Sequence, residues 1–505
     1  MTGNKTYRNY LLIAIIFIIV WQFFCVAVLC VNKTDCFPSL CADGQTRAVL
    51  GAKWLHAPFF MNEGYTRNSI WLPLQYWLTG LGLLAWYNLY WIPIIINIIC
   101  GAALLFVFYN MCRLLFDDPV IGLIELLIAG FVPWFVWLSV SGMSEPLSFL
   151  LIVTAFFFYI SWIKQIARPG FLWCIGATLT LANMTRNENW AVSVLLAASI
   201  IGTYFIHRDI LRDRKYRLPF LFVLVAPWVF PLAWTIAQYQ TFHDLSIYYY
   251  YRHISGRVGG SGIIPPGIFA KRFFIFFQSL AASIPVFVLS FFGAVVIMAK
   301  KQKLAVIYLA LVLSYSIFLL CVFLGIVVPG LRERVPLIIV LLLSPFAAYA
   351  IRKIFSIRLR AYVPEILVKS MVVVSVFIFA GNNISACSNF PAPYKEMASF
   401  SSIGRKLGAL WDDGILKKGD KVIIIPLEQD AILSYNMIAA YSNHPFDIIV
   451  IEEWVGQEKI AVFLNKARII VLHKDFYDKY QEHIRKASRR IFKIEDYEGF
   501  FLTGI

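Results

Sequence analysis

Apolar runs of bilayer length recur along most of the chain, separated by short polar stretches. They predict α-helical spans at residues 10–31, 92–115, 119–139, 145–163, 170–184, 189–206, 218–238, 273–299, 304–327, 336–351 and 366–381, about 11 in all. Two stretches between the first and second spans read differently. Residues 48–60 are amphipathic, with Val49, Leu50 and Trp54 available to lie on headgroups or on the bundle. Residues 70–88 (IWLPLQYWLTGLGLLAWYN) are interrupted by Pro73 and rich in Trp and Tyr, which suits an interfacial helix pair. From Ser399 onward the pattern becomes that of a soluble unit. KVIIIPL, DIIVIEE and ARIIVLH are β-like, each followed by a helical stretch, and RIFKIEDYEGFFLTGI reads as a closing hairpin. The expected organisation is a transmembrane domain over 1–382 and a small C-terminal α/β domain over 383–505, with a largely parallel sheet and no glycine-rich phosphate loop.

Composition agrees with a polytopic α-helical membrane protein. With 60% hydrophobic, 16% aromatic and 15% charged residues, the 505-residue chain is excluded from the ordinary soluble class. The first run has no small-residue cleavage site before Cys30 and is longer than the apolar core of a signal peptide, so it reads as a retained anchor.

The formal charge of +16 does not point to nucleic acid. From Asn383 to the end, 16 basic residues balance 16 acidic ones, so the excess belongs to the membrane part, where loop Lys and Arg report orientation. Lys5 and Arg8, Lys164 and Arg168, His207 to Arg217, Lys300 to Lys303 and Arg352 to Arg360 then share the cytoplasmic side. The N-terminus is expected inside, and the C-terminal domain outside. Five of the nine Cys lie in or beside apolar runs as packing residues, and Cys36 and Cys41 are close enough in sequence to bridge in an oxidising compartment. No CxxC or Cys/His pattern predicts structural zinc.

On this topology the polar residues expected at the outer side form one set. Asp43, Arg47, Lys53, His56, Glu63 and Arg67 lie in the first loop, Glu145 opens the fourth span, and Arg186 and Glu188 form the fifth–sixth turn. Tyr251, Arg252, His253 and Arg257 lie in a long loop that ends at Lys271 and Arg272, and Arg332, Glu333 and Arg334 follow later. Few carboxylates among many cations suit an anionic, phosphate-bearing substrate, because Arg binds phosphate oxygens bidentately. A carboxylate kept ionised there is a candidate general base, and Arg47 lies one helical turn beyond Asp43. Each residue also has a structural reading. Asp43 suits a helix N-cap, Glu145 complements a helix dipole, and Arg186 and Glu188 can close a turn as an ion pair. The tyrosines 248–251 suit an interfacial belt, and Arg332 and Arg334 suit snorkelling anchors.

The order of these features resembles a known family. A single span, an acidic residue in a long first loop, WLPLQYWL, SVSGMSEPL at the fourth span, TRNENW at the fifth–sixth turn and a late RERVP are together similar to the GT-C superfamily of integral membrane glycosyltransferases. The branch is that of aminoarabinose transferases, protein O-mannosyltransferases and related polyprenyl-phosphate-sugar enzymes. The resemblance covers residues 10–380, by order and spacing more than identity. Asn189 stands where the family often has Gly, and Gly44 follows Asp43 where many members carry a second acid. The resemblance implies inverting transfer from a polyprenyl-phosphate-linked donor to a lipid, glycan or protein acceptor, with no cofactor. Asp43 would be the base. Arg257, Arg332 and Arg334 would neutralise the leaving phosphate, and Glu145, Arg186 and Glu188 would shape the sugar pocket. The expected location is a bacterial inner membrane, with an outward-facing C-terminal domain, or the ER membrane in a eukaryote.

Three rival readings stand beside it. A transporter or flippase of lipid-linked saccharide would also want many spans and a cationic cavity, but no internal repeat or paired broken helix is visible. A metal-assisted oligosaccharyltransferase-like site would draw on Glu63 and His56 near Asp43. An outer-domain receptor has no positive feature in the chain.

Overall fold

The computed structural model describes residues 2–31, 42–57, 72–207, 209, 213–242, 284–324, 335–356, 395–417, 419–425, 438–445, 448–450, 467–473, 489–494 and 497–501; of Ala42 and Asp43 it describes the helical backbone. The first span is α1 (Thr2–Val31). It is followed by α2 (Ala42–His56) and α3 (Leu74–Ala85). At 12 residues, α3 is about 18 Å long, too short to cross a bilayer and consistent with an interfacial helix. The amphipathic helix α2 starts six residues before the expected position 48, which moves Asp43 from a capping position into the first turn. The missed start has a physical reason: ADGQTR carries no apolar periodicity, and packing makes that turn helical.

The remaining membrane helices are α4 (Trp91–Phe116), α5 (Pro119–Gly130), α6 (Pro133–Ser139), α7 (Glu145–Lys164), α8 (Gly170–Asn183), α9 (Asn189–Ile206), α10 (Arg214–Phe242), α11 (Ile284–Ala299), α12 (Lys303–Leu324) and α13 (Val335–Ser356). The third expected span is thus two helices, broken before Pro133. The eleventh, 366–381, lies outside the described residues. Among the described residues, α1, α4, α7, α9, α10, α12 and α13 are long and apolar enough to cross a membrane, while α5, α8 and α11 are shorter apolar helices. The chain is a polytopic α-helical integral membrane protein.

Breaks inside the bundle leave carbonyls without their helical donors, a costly state in an apolar medium. Side chains repair them. At the α5–α6 break, the Trp21 indole donates to the Gly130 carbonyl at 2.7 Å. In α10, Pro231 has no N–H for the carbonyl four residues earlier, that of Pro227, and Asn183 Nδ2 donates to it at 2.7 Å. In α13, Pro345 likewise frees the Leu341 carbonyl, which Ser344 Oγ contacts at 2.7 Å.

The bundle has two chemically different ends. Lys164 pairs with Asp117 at 2.8 Å, Arg352 pairs with Asp118 at 2.8 Å, and Tyr216 donates to the Ile166 carbonyl at 3.1 Å. These contacts gather the ends of α4, α7 and α13 with the starts of α5 and α10 into one basic end. Glu145 begins α7 and Lys164 ends it, about 30 Å away along the axis.

The C-terminal residues form α14 (Lys395–Asp412) and a five-stranded sheet of β1 (Lys421–Ile425), β2 (Ile448–Val450), β3 (Ala467–His473), β4 (Arg489–Ile494) and β5 (Tyr497–Phe501). The strand order is β2-β1-β3-β5-β4. β1 is parallel to both β2 and β3, and the expected hairpin, β4–β5, joins through β5 antiparallel to β3. Phe400, Ile403 and Leu407 of α14 share a buried apolar cluster with Val422, Ile424, Ile469 and Val471 of the sheet.

Candidate active site

At the end of the bundle away from the Lys164 and Arg352 ion pairs, two connections, the turn into α7 and the α8–α9 turn, are tied together by charge. The Arg186 guanidinium donates to Glu145 Oε1 at 2.8 Å and to Glu188 Oε1 at 3.0 Å. Glu145 is deeply buried, whereas the Arg186 and Glu188 side chains are 22% and 19% exposed, so the network is closed at Glu145 and partly open at Arg186 and Glu188. Burial alone would lower the Arg186 pKa, but the Glu188 and Glu145 carboxylates outweigh it and raise the value above that of an ordinary arginine. The cation is therefore fixed at every working pH. Tyr315 of α12 is buried within electrostatic reach of Arg186 and Glu188. Sequence reasoning missed this residue because a tyrosine inside an apolar span carries no local signal.

Asparagine side chains hold the Arg186 turn rigid. Asn189 Nδ2 donates to the Ala182 carbonyl at 2.7 Å and to Thr185 Oγ1 at 2.8 Å, while its Oδ1 accepts from Ser148 of α7 at 3.1 Å. Asn189, the first residue of α9, is thus a polar clasp between α7, α8 and the turn. Asn183 Oδ1 accepts from Ser193 at 3.0 Å, which adds α9. The backbone N–H of Leu74 donates to the Met184 carbonyl at 3.0 Å and fixes the start of α3 at the same turn.

Gly44, beside Asp43, is also fixed by packing. A Cβ at Gly44 would collide with the Ser141 carbonyl, and the neighbouring Gly142 has φ +72°, a conformation suited to glycine. The first turn of α2 therefore lies directly on the turn that leads into Glu145. A second acid at position 44 has no room. Gln45, Thr46 and Arg47, next along α2, are all buried, so Arg47 belongs to the packed interior of this end. Lys53, further along the helix, has its pKa lowered by burial to about 8.

The structure thus places Gly44, the neighbour of Asp43, on the Ser141–Gly142 turn that leads into Glu145 of the Glu145–Arg186–Glu188 network, and buries Arg47 one turn further along the same helix. The Arg186–Glu188 ion pair expected as a turn closure exists, and Glu145 joins it. Tyr251, Arg252, His253, Arg257, Arg332 and Arg334 lie outside the described residues, as do Cys36, Cys41, Glu63 and Arg67. Among the described residues, no group of three or more His, Cys, Asp or Glu side chains is arranged to hold a metal ion. One buried acid escaped the sequence reading: Glu125 of α5, fully buried, contacts Ser344 of α13. A lone acid inside an apolar run was the available signal.

Neither a protein-family model nor a curated protein sequence matches the chain. Solved structures do. The ArnT of Cupriavidus metallidurans bound to undecaprenyl phosphate is similar with a TM-score of 0.61 and 11% identity, covering 95% of this chain and 98% of that one. The same protein in its apo state gives 0.57 and 12%, over 95% and 97% of the two chains. The oligosaccharyltransferase of Archaeoglobus fulgidus, in a complex with Zn and sulfate, gives 0.54 and 10%, over 96% of this chain and 73% of that one. At these identities the likeness is one of fold. The shared fold extends over nearly the whole chain.

Proposed function

We propose that the protein is an inverting membrane glycosyltransferase that moves a hexosyl or pentosyl group from a polyprenyl-phosphate-linked donor to a lipid, glycan or protein acceptor at the outer face of the membrane. The observation that carries this reading is the seating of the Asp43-bearing turn on the Ser141–Gly142 backbone, beside the Arg186-linked carboxylates, within an ArnT-like fold. An acceptor O–H or N–H placed there attacks the anomeric carbon. The bond to the phosphate oxygen breaks with inversion, Asp43 takes the acceptor proton, and polyprenyl phosphate leaves. In-line displacement needs a base on one side and charge stabilisation on the other. Arg257, Arg332 and Arg334 are proposed for the leaving phosphate, and Arg47, Glu145, Arg186, Glu188, Tyr251, Arg252 and His253 for holding the donor. The first turn of a helix favours an ionised carboxylate, which suits Asp43 as base. No cofactor enters this scheme. The proposed topology has 11 spans, a cytoplasmic N-terminus and an outward C-terminal α/β domain, in a bacterial inner membrane.

One observation bears on the transporter reading. Glu125 lies in the apolar part of the bundle, where ionisable groups often mark a path, but it is fully enclosed by packing. The deciding experiment offers purified protein in liposomes a panel of undecaprenyl-phosphate donors carrying radiolabelled aminoarabinose, mannose or glucose, with membrane lipid and peptide acceptors. Label transferred by wild type supports the enzyme. Donor translocation without transfer overturns it in favour of the transporter.

A further inference from the structure

The C-terminal unit does not sit apart from the bundle. Asn443, in the turn after the helical residues 438–442, reaches the α3–α4 connection, where its Oδ1 accepts from Leu89 N at 3.1 Å and its Nδ2 donates to the Tyr87 carbonyl at 3.0 Å. Its φ of 61° is left-handed, a region that asparagine tolerates better than most residues, so the amide is aimed by an unusual backbone. Beside it, the rings of Tyr441 and Tyr90 lie 5.2 Å apart.

Two apolar contacts place the same unit on α2. Ala440 is buried in one cluster with Ala48 and Ala52 of α2 and with Leu83, Leu89 and Ile92. Val49 is buried in the cluster of α14 and the sheet, with Phe400, Ile403 and Leu407. Small side chains on both partners at the first contact permit close approach, and one helical turn of α2 supplies both. The docking turn is itself rigid: Gly408 packs on the Ser442 backbone, Trp411 stacks on His444 at 4.3 Å, and Ser442 Oγ accepts from His444 N at 3.2 Å. Helix α2 is thus held between the bundle, where Gly44 meets Ser141, and the C-terminal unit, where Val49 and Ala52 meet α14 and Ala440.

We infer that the C-terminal α/β unit is a positioning element for the helix that carries Asp43, and that Asn443 is its principal positioning residue. This rests on the glycosyltransferase reading for its catalytic consequence, but not for its structural one. Asn443 touches no reacting group. It fixes the connection that, through Leu89 and Ala440, sets where the first turns of α2 lie. A displacement of about 1 Å at a base is enough to cost a large factor in rate.

The test uses the full-length protein in liposomes. Asn443→Ala and Ala440→Leu are each compared with wild type for amide exchange across α2, and for transfer per active site, with sites counted by undecaprenyl-phosphate binding. Expected are faster exchange over residues 44–56 in both variants and transfer per site lowered about tenfold, the scale of two lost hydrogen bonds. Undecaprenyl-phosphate affinity should stay within about twofold, since Arg257, Arg332 and Arg334, proposed for the phosphate, lie outside α2. In an Asp43→Asn background, Asn443→Ala should lower the residual transfer no further, because both act through the same carboxylate. Unchanged α2 exchange in both variants overturns the inference, and so do losses that multiply in the double variant. Should wild type transfer no sugar from any donor, the glycosyltransferase reading falls, while the exchange measurement still decides whether the C-terminal unit holds α2.

Discussion

Glu145 and Glu125 are both almost wholly out of solvent, at 2% and 0% exposure, yet they are held by opposite means. Glu145 lies at the end of the bundle and shares the Arg186 guanidinium with Glu188. Glu125 lies in the apolar interior, where Ser344 is its hydrogen-bond partner, no cation pairs with it among the described residues and its Oε2 has no partner. Ser344 Oγ contacts both Glu125 and the Leu341 carbonyl freed by Pro345. A hydroxyl has one proton for two acceptors, so the contact closes completely when the carboxyl supplies the second proton. The pairing thus separates two uses of a buried acid. Glu145 is held by a shared cation at a partly open end of the bundle, whereas Glu125 is held by a hydroxyl inside it and ties two helices together.

The largest effect expected within this comparison comes from Arg186→Leu, which removes the cation that Glu145 and Glu188 share. Breaking a buried pair on one side costs about 3–5 kcal/mol. Thermal unfolding in detergent should register the loss, and transfer activity should disappear with it; a stable variant would show that the network is dispensable. Next comes Gly44→Ala, which forces a Cβ into the Ser141 carbonyl and should cost about 1–3 kcal/mol. A neutral result for that substitution in the same melt would contradict the seating of α2.

Glu145→Gln and Glu125→Gln sharpen the contrast directly. The first leaves Arg186 with one carboxylate instead of two and should destabilise by about 1–3 kcal/mol while lowering transfer. The second replaces the carboxyl with an amide that both donates and accepts, so stability should change by under about 1 kcal/mol. Equal losses in the two variants would remove the distinction between a charged and a neutral site.

Among the described residues, seven of the expected spans are helices long and apolar enough to cross a membrane, legible because apolar runs of bilayer length admit few other folds, and Glu145, Arg186 and Glu188 were legible because charges in short turns stand out against such runs. Three features were not. The helical start at Ala42 depends on glycine packing against Ser141, a contact between residues far apart in the chain. The division of the third span depends on the Trp21 indole reaching Gly130 from another helix. The role of Asn443 depends on the backbone of Leu89, 354 residues away. Glu125 differs, since its isolation among apolar residues marked it in the sequence itself.

The smallest effect concerns Lys53. Burial lowers its pKa from the ordinary 10.5 to about 8, so the unfolded chain binds the extra proton between these values and stability rises with pH across that window. Below pH 8 both states are protonated and the burial penalty is fully present. Melting temperature should therefore increase from pH 8 towards 10.5 by an increment that Lys53→Met removes, and an identical pH profile in the variant would count against the burial of this ammonium.

Asp43 is the proposed base, and a single side-by-side assay decides that role. Wild type and Asp43→Asn are reconstituted at equal folded amount and equal undecaprenyl-phosphate binding, then assayed for transfer of radiolabelled sugar from the polyprenyl-phosphate donor that wild type uses. Loss of a general base predicts a rate lower by about 10²–10⁴-fold with donor binding retained. Full transfer by Asp43→Asn would remove Asp43 from that role.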